Sequence, residues 1–295
     1  MGPEAAPLGK DGGGTVLPNG SGRSMVRWAG ALVCLAACLL PATAPAGAAP
    51  RHVVSLNLCT DELLLLLAAP EQIASVTSLA HDPLESPLWR TARRYPANDG
   101  SLLSVAPLRP DLVLATGGGG RDRDAIARSL GARIVTLPYP TTLGDMIASV
   151  RTVARALGRA QDGEAVAARI AAARADAPRR TRDTIFLTGG GRTIAPDGLG
   201  AQWLALAGLR QRPIPGERVS IETLLIHPPA ILLRSDYRAG QMSREADWLA
   251  QPALRRVPSR RITIEGRRWT CMGPTLLPEI LRLRALVNPR KEPTR

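Results

Sequence analysis

Between residues 51 and 288, short apolar runs alternate with stretches of helical periodicity, and the alternation runs through twice. A run of five apolar residues is too short for a buried helix but is the right length for a strand buried on both faces. Such strands separated by helices build parallel sheets from βαβ units. In the first half, His52 to Leu56, Ile73 to Thr77, Leu112 to Ala115 and Arg133 to Leu137 read as strands. Helices are expected over Asp61 to Ala69, with Thr60 as N-cap, and over Asp122 to Leu130, stopped by Gly131. In the second half, Thr184 to Thr188, Ala230 to Leu233 and Arg261 to Glu265 read as strands, with helices over Gln202 to Ala207 and Leu276 to Val287.

Two helical stretches lie between these halves. Leu143, Met146, Ile147, Val150, Val153, Ala154 and Leu157 step by three and four residues, one face of an amphipathic helix, and Thr142 with Asp145 forms a capping box. A second helix is expected from Asp162 to Ala177. The fold class is therefore α/β. The divisions are a leader over 1–48, a first lobe over 49–160, a connecting helix over 161–182, a second lobe over 183–290 and a tail over 291–295. The halves also share an order of parts: a helix ends in a Pro-containing turn that feeds a strand, Leu103 to Leu114 in one and Glu222 to Leu233 in the other.

The leader has its own grammar. Arg27 precedes a charge-free apolar run from Trp28 to Leu40, and Ala46-Gly47-Ala48 is an A-x-A cleavage site. These are the parts of a secretory signal peptide, with Met25 as the expected start, and they place the chain in the periplasm. Leu35-Ala36-Ala37-Cys38 is a competing lipoprotein box that would leave the protein tethered through Cys38. Of the four cysteines, Cys34 and Cys38 fall in the leader; Cys59 and Cys271 remain, a pair that an oxidising compartment can join as a disulfide. No CxxC or other metal-ligand spacing is present, so no metal site is expected.

Charge excludes one class of function. The net charge is +13, carried almost entirely by arginine. The densest basic groups, Arg179 to Arg182 and Arg255 to Arg261, contain no aromatic residue, so nucleic acid is not an expected partner.

In open parallel sheets, ligands bind outside the carboxyl ends of the strands. The loops there offer Cys59 and Thr60; His81; Thr116, Gly117, Gly118 and Arg121; Tyr139; Gly190 and Arg192; and Trp269 with Cys271. These are the candidate ligand-binding residues. The two glycine runs lack the Lys-Ser/Thr of a phosphate-binding loop, so they read as loops that let backbone approach a ligand. Cys59 has no histidine beside it to activate a thiol, and there is no G-x-S-x-G elbow. An exported hydrolase is the alternative these absences disfavour, and no catalytic residue is assigned. A sensing module without transport is a further alternative.

The order of Val53-Val54-Ser55-Leu56 before an acidic helix start, then Leu108-Arg109-Pro110-Asp111-Leu112-Val113-Leu114, the helix near 162–177 and Gly208 closing a helix, resembles the cobalamin- and ferric-siderophore-binding branch of periplasmic solute-binding proteins. The resemblance spans about residues 51 to 288. It implies two Rossmann-like lobes joined by a single long α-helix, with the ligand cleft between them. It implies no enzyme and no cofactor, but a receptor that delivers a metal chelate to an ABC permease and its ATPase subunits, acting as a monomer. The ligand is a corrinoid or a ferric siderophore, with haem open through His81 or Tyr139. An acidic residue on each lobe would dock on the permease. Glu222 fills the second-lobe place, whereas Leu103 stands where the first-lobe acid belongs, with Asp99 nearby.

Overall fold

The computed structural model describes residues 49–117, 120–237 and 244–288; for Gly120, Arg121, Glu245 and Ala246 the backbone alone is described. The leader, Cys38 and Gly118 lie outside this range, as does the side chain of Arg121.

The first lobe is a five-stranded, all-parallel sheet of β1 (Val53–Ser55), β2 (Ile73–Thr77), β3 (Ala97–Asn98), β4 (Leu112–Thr116) and β5 (Arg133–Leu137), in the order β3-β2-β1-β4-β5. Its helices are α1 (Leu58–Leu67), α2 (Trp89–Ala92), α3 (Leu102–Val105) and α4 (Gly120–Ser129). The Arg109-Pro110-Asp111 turn has a specific function. Arg109 takes a left-handed conformation, and the Asp111 carboxylate accepts the backbone N–H groups of Arg51, at 2.6 Å, and His52, at 3.1 Å. That bond ties the entry of β1 to the entry of β4, which pair with Val53 opposite Leu112.

Helices α5 (Leu143–Ala156) and α6 (Ala160–Ala175) make the crossing. The expected capping box is present, with the Thr142 side chain accepting the Asp145 N–H. The linking helix is shorter than the expected 161–182. It stops at Ala175, Pro178 blocks its continuation, and Arg182 already opens the next strand.

The second lobe is a four-stranded parallel sheet, β6 (Arg182–Leu187), β7 (Leu209–Gln211), β8 (Ile231–Ser235) and β9 (Arg260–Ile264), in the order β7-β6-β8-β9. With it come α7 (Leu199–Leu206), α8 (Ile221–Ile226), α9 (Arg244–Ala250), α10 (Arg268–Cys271) and α11 (Leu277–Val287). Both lobes fall within one compact unit. A single apolar core runs through them, from Val53, Leu64 and Val153 to Phe186, Trp203 and Ile280, while each sheet's other face has its own smaller core. No helix among the described residues is long and apolar enough to cross a membrane.

Candidate functional site

The carboxyl ends of both sheets face a cavity of about 170 Å³ between the lobes. Its first-lobe wall is built by Thr116, Leu137, Pro138 and Pro140, with Met146 from α5. Its second-lobe wall is Leu199 from α7 and the segment Thr270 to Gly273. No charged side chain is among these lining residues.

The loop after β1 organises the first-lobe side. Asn57, not Thr60, caps α1: its Oδ1 accepts the Thr60 N–H at 3.0 Å and also the Thr116 hydroxyl at 3.0 Å, joining two cavity loops. Thr60 is fully buried, its hydroxyl 2.7 Å from Ser55 Oγ, and so supports the loop instead of meeting a ligand. From that cap, α1 turns the stripe Cys59, Glu62, Leu63 and Leu66 toward the second lobe, the i, i+3, i+4, i+7 spacing of one helix face.

Cys59 is bonded to Cys271, 212 residues away, and both line the cavity. One turn along α1, the buried Glu62 carboxylate accepts the Thr275 N–H at 2.9 Å. Gly273 lies against that carboxylate so closely that a Cβ there would stand 2.4 Å from Glu62 Oε1. Met272, between Cys271 and Gly273, is left-handed, and its carbonyl is held by the Trp203 indole N–H at 2.8 Å. Farther out, Tyr237 donates its phenolic hydrogen to Glu85 at 2.7 Å, and Arg267 reaches the Pro83 carbonyl, so the lobes also touch near the rim.

Two buried carboxylates flank this junction. Burial, the dominant effect, pushes Asp61 up to about 6 against the hydrogen bonds it accepts from Thr77 and Ser55. Burial likewise raises Glu62, opposed by Thr275 and by the Arg268 charge. Neither lines the cavity.

The remaining sequence candidates separate. Tyr139 is 73% exposed between two lining prolines, its ring laid over Gly117, where a Cβ would come within 2.9 Å of the phenol. Gly190 belongs to a different cavity of about 540 Å³, with Arg218, Ser220, Arg244 and Trp248. Arg192 pairs with Arg218 by a backbone bridge next to it. His81 is not among the residues lining the interlobe cavity; its Nε2 is buried without a hydrogen-bond partner. Trp269, expected at the ligand, is 4% exposed and packs on Phe186 with ring centroids 4.7 Å apart. Its neighbours Arg267 and Arg268 both pair with Glu265, and that leaves the indole on the core side of the turn. Trp89 lies beneath Arg90 and Arg93 in α2. Sequence reasoning missed Met146, Leu199 and Met272 as wall residues and Glu62 as a bridge between lobes. The signal for Glu62 was present, since an acid inside Leu58-Cys59-Thr60-Asp61-Glu62-Leu63-Leu64 needs a buried partner.

Glu222 and Leu103 occupy matching places. Ser220 caps α8 by accepting the Thr223 N–H, and Ser101 caps α3 by accepting the Ser104 N–H; Glu222 and Leu103 each stand two residues beyond the serine, both exposed. Asp99, two residues before Ser101, is held at about 2 by the Ser104 and Ser101 hydroxyls and the Ser101 N–H, and so is ionised at neutral pH.

Two parallel-sheet lobes that share a continuous core and enclose an uncharged cavity at their strand ends form a bilobed solute receptor. The chain belongs to the periplasmic binding protein family, whose profile matches residues 53–258. That family consists of solute-binding proteins. Its fold is shared with solved structures that include a periplasmic haem-binding protein of Vibrio cholerae, at TM-score 0.63 and 20% identity over 81% of this chain and 99% of that one. A periplasmic haem-binding protein of Pseudomonas aeruginosa matches at 0.58 and 21% identity over 83% and 95% of the respective chains. A periplasmic vitamin B12-binding protein of Vibrio cholerae matches at 0.56 and 19% identity over 82% and 99%. No curated protein matches the sequence.

Proposed function

We propose that this protein is the exported receptor of an ABC importer and that it captures a tetrapyrrole metal chelate, a corrinoid or haem, in the cavity between its lobes. The observation that carries this reading is the chemistry of the walls. Leu137, Pro138, Pro140, Met146, Leu199 and Met272 offer apolar surface and thioethers, with no charged lining side chain. Such walls suit the flat face of a macrocycle, whereas a ligand rich in carboxylates or hydroxamates would leave its polar groups without partners there. Arg267 and Arg268, expected at the acids of a siderophore, are instead committed to Glu265, Pro83 and Thr275. Related folds crystallised as haem- and vitamin B12-binding proteins agree with the size class of ligand.

Tyr139 stands at the mouth of this cavity with its phenol free of the core, placed to ligate an iron held there. The signal peptide and the oxidised Cys59–Cys271 pair both fit an exported chain, with the lipid tether at Cys38 as the other route to the same compartment. Glu222 provides the second-lobe contact to the permease, and Leu103 with Asp99 provides the first-lobe contact. Glu222→Arg is expected to impair uptake through the reconstituted importer while leaving ligand affinity unchanged; a parallel loss of affinity would refute the docking role.

The test of the ligand class is equilibrium titration of the mature chain with hemin, cyanocobalamin and a ferric hydroxamate. Saturable binding of hemin or cyanocobalamin at about micromolar levels or below, with none of the hydroxamate, supports the reading. The reverse order overturns it.

A further inference from the structure

The geometry points to the Cys59–Cys271 disulfide as a covalent clasp that fixes the width of the ligand cleft, so that this receptor binds its ligand in a preset slot instead of closing on it. The inference rests on the reading of the interlobe cavity as the ligand site.

The chain passes from one lobe to the other once, through α5 and α6. A single crossing leaves the lobes free to rotate about it, and hinge closure is the common motion of two-lobed receptors. The disulfide adds a second covalent connection, at the cavity and between segments 212 residues apart. Two connections that lie apart remove rotation about either one alone.

The clasp continues along α1. Cys59 is bonded to Cys271, and Glu62, one helical turn later, is hydrogen-bonded to Thr275. Both attachments join the same helix to the same second-lobe segment, so they act as a strip and not a point. Gly273 sits between them, with no room for a side chain against Glu62. The strip also separates two cavities: Cys59 and Leu63 face the ligand cavity, while Leu66 and Thr275 face a second one behind it, toward α6. The slot therefore has a fixed floor whose surface is the disulfide itself.

Hydrogen exchange and hemin dissociation can be compared in three samples: the oxidised protein, the same protein reduced after folding with tris(2-carboxyethyl)phosphine, and the variant Cys59→Ser/Cys271→Ser. Reduction after folding keeps the test independent of whether the variant folds. If the clasp sets the slot, loss of the bond speeds exchange in segments 58–66 and 271–276 and speeds hemin dissociation, each by about tenfold or more, equal to about 1.4 kcal/mol. Small-angle scattering without ligand then shows a larger radius of gyration. Equal exchange, equal dissociation and an unchanged radius after reduction would overturn the clasp. If the oxidised protein binds neither hemin nor cyanocobalamin, the tetrapyrrole reading fails, while exchange and scattering still decide whether the bond holds the lobes.

Discussion

The floor and the mouth of the interlobe cavity are built on opposite principles. At the floor, Cys59, Glu62, Cys271, Gly273 and Thr275 are joined by a covalent bond, a buried charge-assisted hydrogen bond and a contact that admits no Cβ. At the mouth, Tyr139 is largely exposed, held between prolines and resting on a glycine loop. Buried polar bridges are costly unless fully paired, so a protein that keeps them holds one geometry there. An exposed aromatic carries little of the fold and is free to serve a ligand. The difference separates the part of the site that sets its shape from the part that meets the ligand's periphery.

Three perturbations sharpen that contrast. The largest expected effect comes from pH. Asp61 beside the floor binds its proton more tightly in the folded than in the unfolded chain, at about 6 against 3.8. Its contribution to stability is complete below pH 3.8 and is lost as pH rises through about 6, a loss of about 3 kcal/mol at about 1.4 kcal/mol per tenfold change in proton affinity. Glu62 shifts in the same direction. Urea unfolding of Asp61→Asn, which keeps an acceptor for the Thr77 N–H, is expected to show a flatter dependence between pH 4 and 7 than the unaltered protein. An identical profile would remove Asp61 from the account.

Next in size is Gly273→Ala, which drives a methyl into the Glu62 carboxylate and is expected to cost about 2 kcal/mol in the unfolding midpoint. No change would mean the floor yields more easily than its contacts imply. The smallest effect on the fold belongs to Tyr139→Ala, expected within about 0.5 kcal/mol of the unaltered protein. The same substitution is expected to alter the spectrum of bound hemin and to speed its loss. A stability cost as large as that of Gly273→Ala would erase the contrast between floor and mouth.

Much of this architecture was legible in the sequence, and the physical reasons for the rest are specific. Ile73–Thr77 and Arg133–Leu137 were read with their true ends because turn residues flank them. The Thr142–Asp145 box was read because its chemistry is local. Ala97–Asn98 and Leu209–Gln211 were missed because two- and three-residue strands exist only by pairing with a distant neighbour. Thr60 was taken for a cap because hydroxyls usually cap, but Asn57 stands one turn earlier and its amide oxygen reaches both α1 and the β4 loop. Trp269 looked like a ligand contact because arginines surround it in the chain; Glu265 gathers those arginines on one side and leaves the ring in the core. The cavity walls drew no attention because Leu137, Met146 and Leu199 are ordinary apolar residues until three separate segments bring them together.

The most direct test of the central claim is a hemin and cyanocobalamin titration of Pro138→Asp, which places one charge on the first-lobe wall at an exposed position. If a tetrapyrrole occupies this cavity, affinity for the bound ligand falls by about tenfold or more while the melting temperature stays the same. Undiminished affinity in a folded variant would show that the ligand binds elsewhere and contradict the account.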